Sequence, residues 1–205
     1  MHNLPNGTLY FPDFLDGLAQ EKLLSSIRNV VSEAPLYVPK MPKTGKPMSV
    51  RMTNCGALGW VTDKENGYRY QATHPETGKV WPKIPQQLLD IWQELSGYPH
   101  PPEACLVNYY EPDAKMGLHQ DRDEQEFDAP VLSISLGDSA LFRIGGEKRS
   151  DKVTSFKLNS GDVMMLSGKS RLAFHGISRV YPGTSMLLKQ EGRINLTLRR
   201  VTKAF

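Results

Sequence analysis

After Pro102 the chain becomes a succession of short apolar or alternating runs: ACLVNYY, VLSISLG, ALFRIG, VTSFKL, VMMLSG, LAFHGI and INLTLRRV. Turn residues separate most of them, and no stretch of helical period intervenes. This pattern predicts an antiparallel sandwich or barrel, because parallel strands would need crossover helices between them. The first half reads differently. A short strand is expected at Thr8 to Phe11, and from Asp13 to Ala34 the residues Phe14, Leu15, Leu18, Leu23, Leu24, Ile27, Val30 and Val31 recur at helical spacing. VPKMPKTGKP predicts a loop between Pro35 and Pro47, followed by short strand-like pieces with Gly and Asn turns as far as Tyr70. Pro82 and Pro85 introduce a second expected helix, Gln86 to Ser96, which Gly97 closes. Helices first and a β core afterwards place the chain in the α+β class with a mainly β core.

Composition narrows this picture modestly. With 205 residues, 39% hydrophobic and 23% charged, the chain can bury a sizeable core, and one domain spanning 1–205 is expected. A formal net charge of +3 permits a polyanionic partner without supplying the dense basic footprint that would announce one. Cys55 and Cys105 are the only cysteines, and MHNLPNGTLY has neither a basic nor an apolar leader region. A disulfide scaffold and a secreted protein are therefore not expected. No apolar run approaches the roughly 20 residues of a membrane span. The expectation is a reduced, cytoplasmic protein.

Chemistry enters with GLHQDRDE, Gly117 to Glu124. In an extended chain His119 and Asp121 point to one face, so the pair can offer two ligands to one ion. His175, inside RLAFHGISRV, is the best remaining histidine for a third. Two histidines and a carboxylate form the facial set that holds non-haem Fe(II) with positions left open. Taken alone, such a pair is more usually a solvated acidic turn and such a histidine a satisfied core residue, so the metal reading needs support from elsewhere in the chain. The last run, RINLTLR, alternates Arg193, Asn195, Thr197 and Arg199 with Ile194, Leu196 and Leu198. Its polar face belongs either in water or turned into a barrel, where the guanidinium groups would hold a dianionic organic acid. Asn108 and Tyr110 share the two-residue spacing and could add neutral donors.

Taken together, NYYEPDAKMGLHQDRDE, SISLG, GGEKRSD, SGDVMMLSGKSRLAFHGI and RINLTLRR resemble the AlkB family of Fe(II)- and 2-oxoglutarate-dependent dioxygenases, which reverse N-alkylation of nucleic-acid bases. MSVRMTNCGALGW, GYRY and WPKIP are similar to that family's substrate-recognition region, and the resemblance runs from about Met48 to Arg200. It implies a double-stranded β-helix, or jelly roll, with N-terminal helices and a substrate-recognition lid. The corresponding segments are about 1–47 for the N-terminal extension, 48–102 for the lid and its supporting helix, and 103–205 for the jelly-roll core. It also implies iron on His119, Asp121 and His175, and 2-oxoglutarate on Asn108, Tyr110 and Arg193, with Asn195 and Arg199 near its chelating end. O₂ is the second cosubstrate. Trp60 and Tyr68 match the lid, Asp123 and Glu124 match acids beside the damaged base, and Arg149 matches a substrate-side arginine. Core packing, a solvated turn and a loop charge are their other readings.

Tyr109 stands where the family's bacterial pattern has an arginine, and alternation along the strand predicts that it points away from Asn108 and Tyr110. The implied activity is oxidative demethylation of bases such as 1-methyladenine and 3-methylcytosine, in single-stranded or base-flipped DNA with RNA left open. Formaldehyde is released, 2-oxoglutarate and O₂ become succinate and CO₂, and a monomer is expected. The alternatives are an oxygenase acting on a protein or small molecule, and a non-catalytic jelly-roll binding module. The segments before Pro47, and YPGTSMLLKQEG before the final run, have no role assigned.

Overall fold

The computed structural model describes residues 1–4 and 7–203. In chain order the elements are β1 (His2–Asn3), β2 (Leu9–Phe11), α1 (Gly17–Glu33), β3 (Val50–Gly56), β4 (Gly59–Asp63), β5 (Gly67–Gln71), α2 (Gln86–Leu95), β6 (Ala104–Tyr110), β7 (Met116–His119), β8 (Val131–Gly137), β9 (Ser139–Ile144), β10 (Thr154–Leu158), β11 (Val163–Leu166), β12 (His175–Tyr181) and β13 (Arg193–Arg199). The major sheet has the order β1-β2-β11-β8-β13-β6-β3, and the minor sheet β10-β9-β12-β7. β4 and β5 form a separate hairpin. This is the jelly-roll core with two helices that the sequence led us to expect.

The boundaries that moved have local causes. The first helix begins at Gly17 rather than Asp13, because the Asp16 carboxylate accepts from the Ala19 amide at 2.8 Å and caps the helix there. Phe14 and Leu15 consequently lie ahead of it, and Leu18 is exposed, whereas Leu23, Leu24, Ile27 and Val30 form the buried stripe. LAFHGI is only half a strand. Ser167 and Ser170 form a reciprocal capping box around a 3-10 turn at Gly168–Ser170, so the strand starts at His175.

The two faces of the major sheet bury different things. Outside, α1 and α2 lay Leu23, Ile27, Leu88 and Trp92 against Leu132, Ile134, Leu196 and Leu198. Inside, Val131, Met164 and Leu166 meet Ala140, Phe142 and Ile177 of the minor sheet. Each large apolar side chain so buried stabilises the fold by roughly 1.5–3 kcal/mol before entropy is counted. β13 runs between β6 and β8, with Arg193 opposite both Tyr110 and Gly137. Its alternation therefore sends one row of side chains to each layer.

Candidate metal centre and active site

His119 ends β7 and His175 begins β12, and the two residues are directly paired across these strands. Gly176 allows this approach, since a Cβ there would collide with the backbone oxygens of Met116 and Gly117. The imidazole centroids are 4.6 Å apart. Asp121 follows two residues after His119, and its carboxylate lies 3.6 Å from Nε2 of each ring. One ligand atom from each of the three residues falls within 4.8 Å of the others. Each ring contacts the carbonyl two residues earlier through Nδ1: His119 with Gly117 and His175 with Ala173, both at 2.9 Å. Donation from Nδ1 to these carbonyls leaves both Nε2 lone pairs aimed at the Asp121 side.

The charge states suit a cation. Burial, then the neighbouring His175, push the His119 imidazolium down to about 4, although 41% of its side chain remains exposed. Burial alone would raise the Asp121 carboxyl, but Arg199 and the two imidazoles hold it well below the usual carboxylate range. Two imidazoles and one carboxylate are the donor set of a facial non-haem iron site, so the residues present fit Fe(II).

All eight residues expected for metal and 2-oxoglutarate line one cavity of about 60 Å³ between the sheets. Arg193 is 1% exposed, with Nη2 held 2.9 Å from Ser135 Oγ and also bonded to Asn195 Oδ1. Among the described residues its Nε and Nη1 have no hydrogen-bond partner. Burial pushes its pKa down, while Tyr110, whose ring lies 5.3 Å from the guanidinium carbon, acts in the opposite sense. A buried guanidinium with two idle donors is costly unless an anion completes it, and a carboxylate matches that fork. The Asn195 amide is already committed, accepting from Arg193 and Ser133 and donating to Thr197 at 2.9 Å. Tyr109 points outward, where its hydroxyl donates to Glu191 O at 3.1 Å.

Arg199 faces the metal side. Its Nη2 lies 2.8 Å from Asp121 Oδ1, and its Nη1 lies 2.8 Å from Glu124 Oε1 and 3.0 Å from the Tyr70 hydroxyl. Glu124, expected as an acid beside the base, is enclosed in this layer. Its side chain has no exposed surface (0%), and its oxygens are taken by Arg199, Tyr70 and Arg171. Asp123, the adjacent residue, is exposed and available. Alternation without a strand to fix it did not distinguish the two in the sequence.

The residues expected in the lid meet outside this layer. Trp60 and Tyr68 are stacked at 5.5 Å, and Trp60 Nε1 donates to Asp123 Oδ2 at 2.7 Å. Asn54 holds the Trp60 backbone from both sides, at 3.0 and 3.1 Å. Neither Trp60, Tyr68 nor Asp123 lines the inner cavity. Arg149 is exposed, with its guanidinium carbon 4.8 Å from the centre of the Phe174 ring. Asn54, Tyr70 and Arg171 were not singled out from the sequence. A charged residue directly before the apolar run LAFHGI was the signal available for Arg171.

Comparison with known proteins agrees with this geometry. Residues 7–199 match the 2OG-Fe(II) oxygenase superfamily. An alpha-ketoglutarate-dependent dioxygenase AlkB homolog of Caulobacter vibrioides is 52% identical, covering 95% of this chain and 87% of that protein. The alpha-ketoglutarate-dependent dioxygenase AlkB of Escherichia coli is 43% identical over 90% of this chain and 86% of that protein. The solved structure of OsALKBH1 superposes with a TM-score of 0.80 at 32% identity, over 97% of this chain and 99% of that one. The chain belongs to the AlkB family of Fe(II)- and 2-oxoglutarate-dependent dioxygenases.

Proposed function

We propose that this enzyme removes N-alkyl groups oxidatively from bases of single-stranded or flipped-out DNA, with RNA as a further substrate. The observation that carries the reading is one cavity holding both the convergent His119, Asp121 and His175 set and the buried, incompletely bonded Arg193. Relatives named for nucleic-acid demethylation support the substrate class: a DNA N(6)-methyladenine demethylase of Arabidopsis thaliana is 35% identical, and a tRNA demethylase of Schizosaccharomyces pombe 32%.

In this reading His119, Asp121 and His175 hold the iron, and Arg193 grips the distal carboxylate of 2-oxoglutarate with Asn108 and Tyr110 beside it. Asn195 fixes the Arg193 fork, while Arg199 holds Asp121 near the chelating end. When bound, iron with 2-oxoglutarate and O₂ supplies the two-electron oxidation that turns an N-methyl group into a hemiaminal, which releases formaldehyde. Asp121 and Glu124 are balanced by Arg171 and Arg199, so the positive charge of the ion and of Arg193 remains for the dianionic cosubstrate. A base paired in a duplex cannot reach a centre enclosed between two sheets, so the nucleotide must be unpaired. The segment of about 48–102 carries the lid and its supporting helix: Trp60 and Tyr68 offer an aromatic face, joined by the carboxylate of Asp123, and both favour cationic 1-methyladenine and 3-methylcytosine. Arg149 and the lysines of the PKMPKTGK loop contact phosphates without reading sequence. The enzyme acts as a monomer, and no described helix is long and apolar enough to cross a membrane.

The test is incubation with Fe(II), 2-oxoglutarate and N-methylated single-stranded DNA or RNA, with formaldehyde and repaired base measured together. Both products are expected in equal amounts. Succinate formation without either would identify an oxygenase for a protein or small molecule, and no succinate under any condition would identify a binding module.

A further inference from the structure

Asp121 has a weakness that its partner ligands lack. His119 and His175 are held in the β7–β12 ladder, whereas residues 120–130 contain no strand. Something other than sheet hydrogen bonding must fix the carboxylate. Arg171, from the turn before β12, is 3% exposed and reaches three acceptors in three directions. Its Nη1 donates to the Asp121 backbone oxygen at 2.7 Å, its Nε to Ala129 O at 3.0 Å and its Nη2 to Glu124 Oε2 at 3.1 Å. The other oxygen of Glu124 takes Arg199, whose Nη2 in turn meets Asp121 Oδ1 at 2.8 Å. Arg171 thus touches Asp121 twice: directly at its peptide, and through Glu124 and Arg199 at its carboxylate. Phe127 lays its ring 5.4 Å from the Arg171 guanidinium carbon.

We infer that Arg171 is a positioning residue for the metal site, clamping the peptide and, through Glu124 and Arg199, the carboxylate of Asp121 so that it stays between the two imidazoles, with Oδ1 3.6 Å from His119 Nε2 and Oδ2 3.6 Å from His175 Nε2. The inference rests on the iron site proposed above. Only a planar fork meets these three acceptors together; a lysine in the same place keeps the charge but has a single nitrogen to offer. Residues that orient a ligand without touching the ion typically change metal affinity by 10- to 100-fold.

The experiment is titration of the metal-free protein with Mn(II), followed by electron paramagnetic resonance, with circular dichroism as the check on folding. Arg171→Ala is expected to weaken Mn(II) binding by about 100-fold and Arg171→Lys by about tenfold. Leu23→Ala, which loosens the far side of the major sheet, should leave the affinity unchanged. His119→Ala should lose Mn(II) binding. Wild-type affinity in folded Arg171→Ala overturns the inference. If that variant does not fold, wild-type affinity in Arg171→Lys does the same, and an equal loss in Leu23→Ala would reduce the effect to general instability. Should His119→Ala retain Mn(II), the ion lies elsewhere and the proposed iron site fails with the clamp; loss there with Arg171 variants unaffected sinks the clamp alone.

Discussion

The two faces of β13 are equally hidden from water and do opposite work. Ile194, Leu196 and Leu198 are packed into the helix-covered layer, while Arg193, Asn195, Thr197 and Arg199 line the cavity between the sheets. All seven residues are buried. The apolar row adds stability wherever the chain excludes water. The polar row lowers it, because among the described residues Arg193 Nε and Nη1 and Arg199 Nε lack partners. Burial alone therefore does not report role; on this strand, unmet hydrogen-bonding capacity inside a cavity distinguishes the polar row from the apolar one.

Removing a proposed metal ligand should produce the largest effect of any change on the cavity side. Asp121→Ala is expected to lower succinate formation by more than about 100-fold, exceeding what the loss of an indirect partner causes. Far-ultraviolet circular dichroism should stay native, since no apolar volume is lost. Full activity in this variant would place the iron on other residues. Next comes Arg193→Ala, which deletes the charged fork proposed to hold the cosubstrate. The 2-oxoglutarate KM should rise about 100-fold, equivalent to the roughly 3 kcal/mol of a charge-assisted buried hydrogen-bond pair. Thermal stabilisation of the Mn(II)-loaded protein by added 2-oxoglutarate should disappear with it. An unchanged KM would move the acid site away from this face.

The opposite face should respond in stability and not in binding. Leu196 is 0% exposed, and Leu196→Ala is expected to reduce unfolding free energy by about 3 kcal/mol, read from the denaturant midpoint at constant slope. Its 2-oxoglutarate KM should match the parent enzyme. A large KM change would mean that the two rows are coupled through the strand and do not divide the work between them.

Much of this division is legible in the residues themselves. The alternation of RINLTLR is enough to separate the rows, while HxD with a distant His marks three residues that the fold brings together and that only the family resemblance identifies as a ligand set. Tyr109 is readable for the same reason, because period-two geometry holds inside a strand. Legibility fails where the backbone leaves regular structure. Asp123 and Glu124 are neighbours in a loop, and nothing local says that one is fully enclosed by Arg171, Arg199 and Tyr70 while the other is exposed. The contacts responsible come from residues 47 to 75 positions away, on β5, β13 and the turn before β12. Helix α1 starts late because one capping carboxylate at Asp16 outweighs the apolar spacing ahead of it.

The smallest expected effect tests the outer layer against the inner one. Asp123 donates nothing to the cavity; it accepts from Trp60 Nε1 and faces solvent, so any charge it contributes is strongly screened. Asp123→Asn retains an oxygen for Trp60 while removing the charge, which separates support of the lid from attraction for a cationic base. About fivefold lower kcat/KM on 1-methyladenine is expected, corresponding to the ~1 kcal/mol upper end for an exposed ion pair. A neutral N-methylated base should lose almost nothing, and the loss on 1-methyladenine should shrink as salt is raised. Equal losses on both bases would mean that Asp123 acts by holding Trp60 in place, and the lid would then discriminate by shape where the cavity below it discriminates by charge.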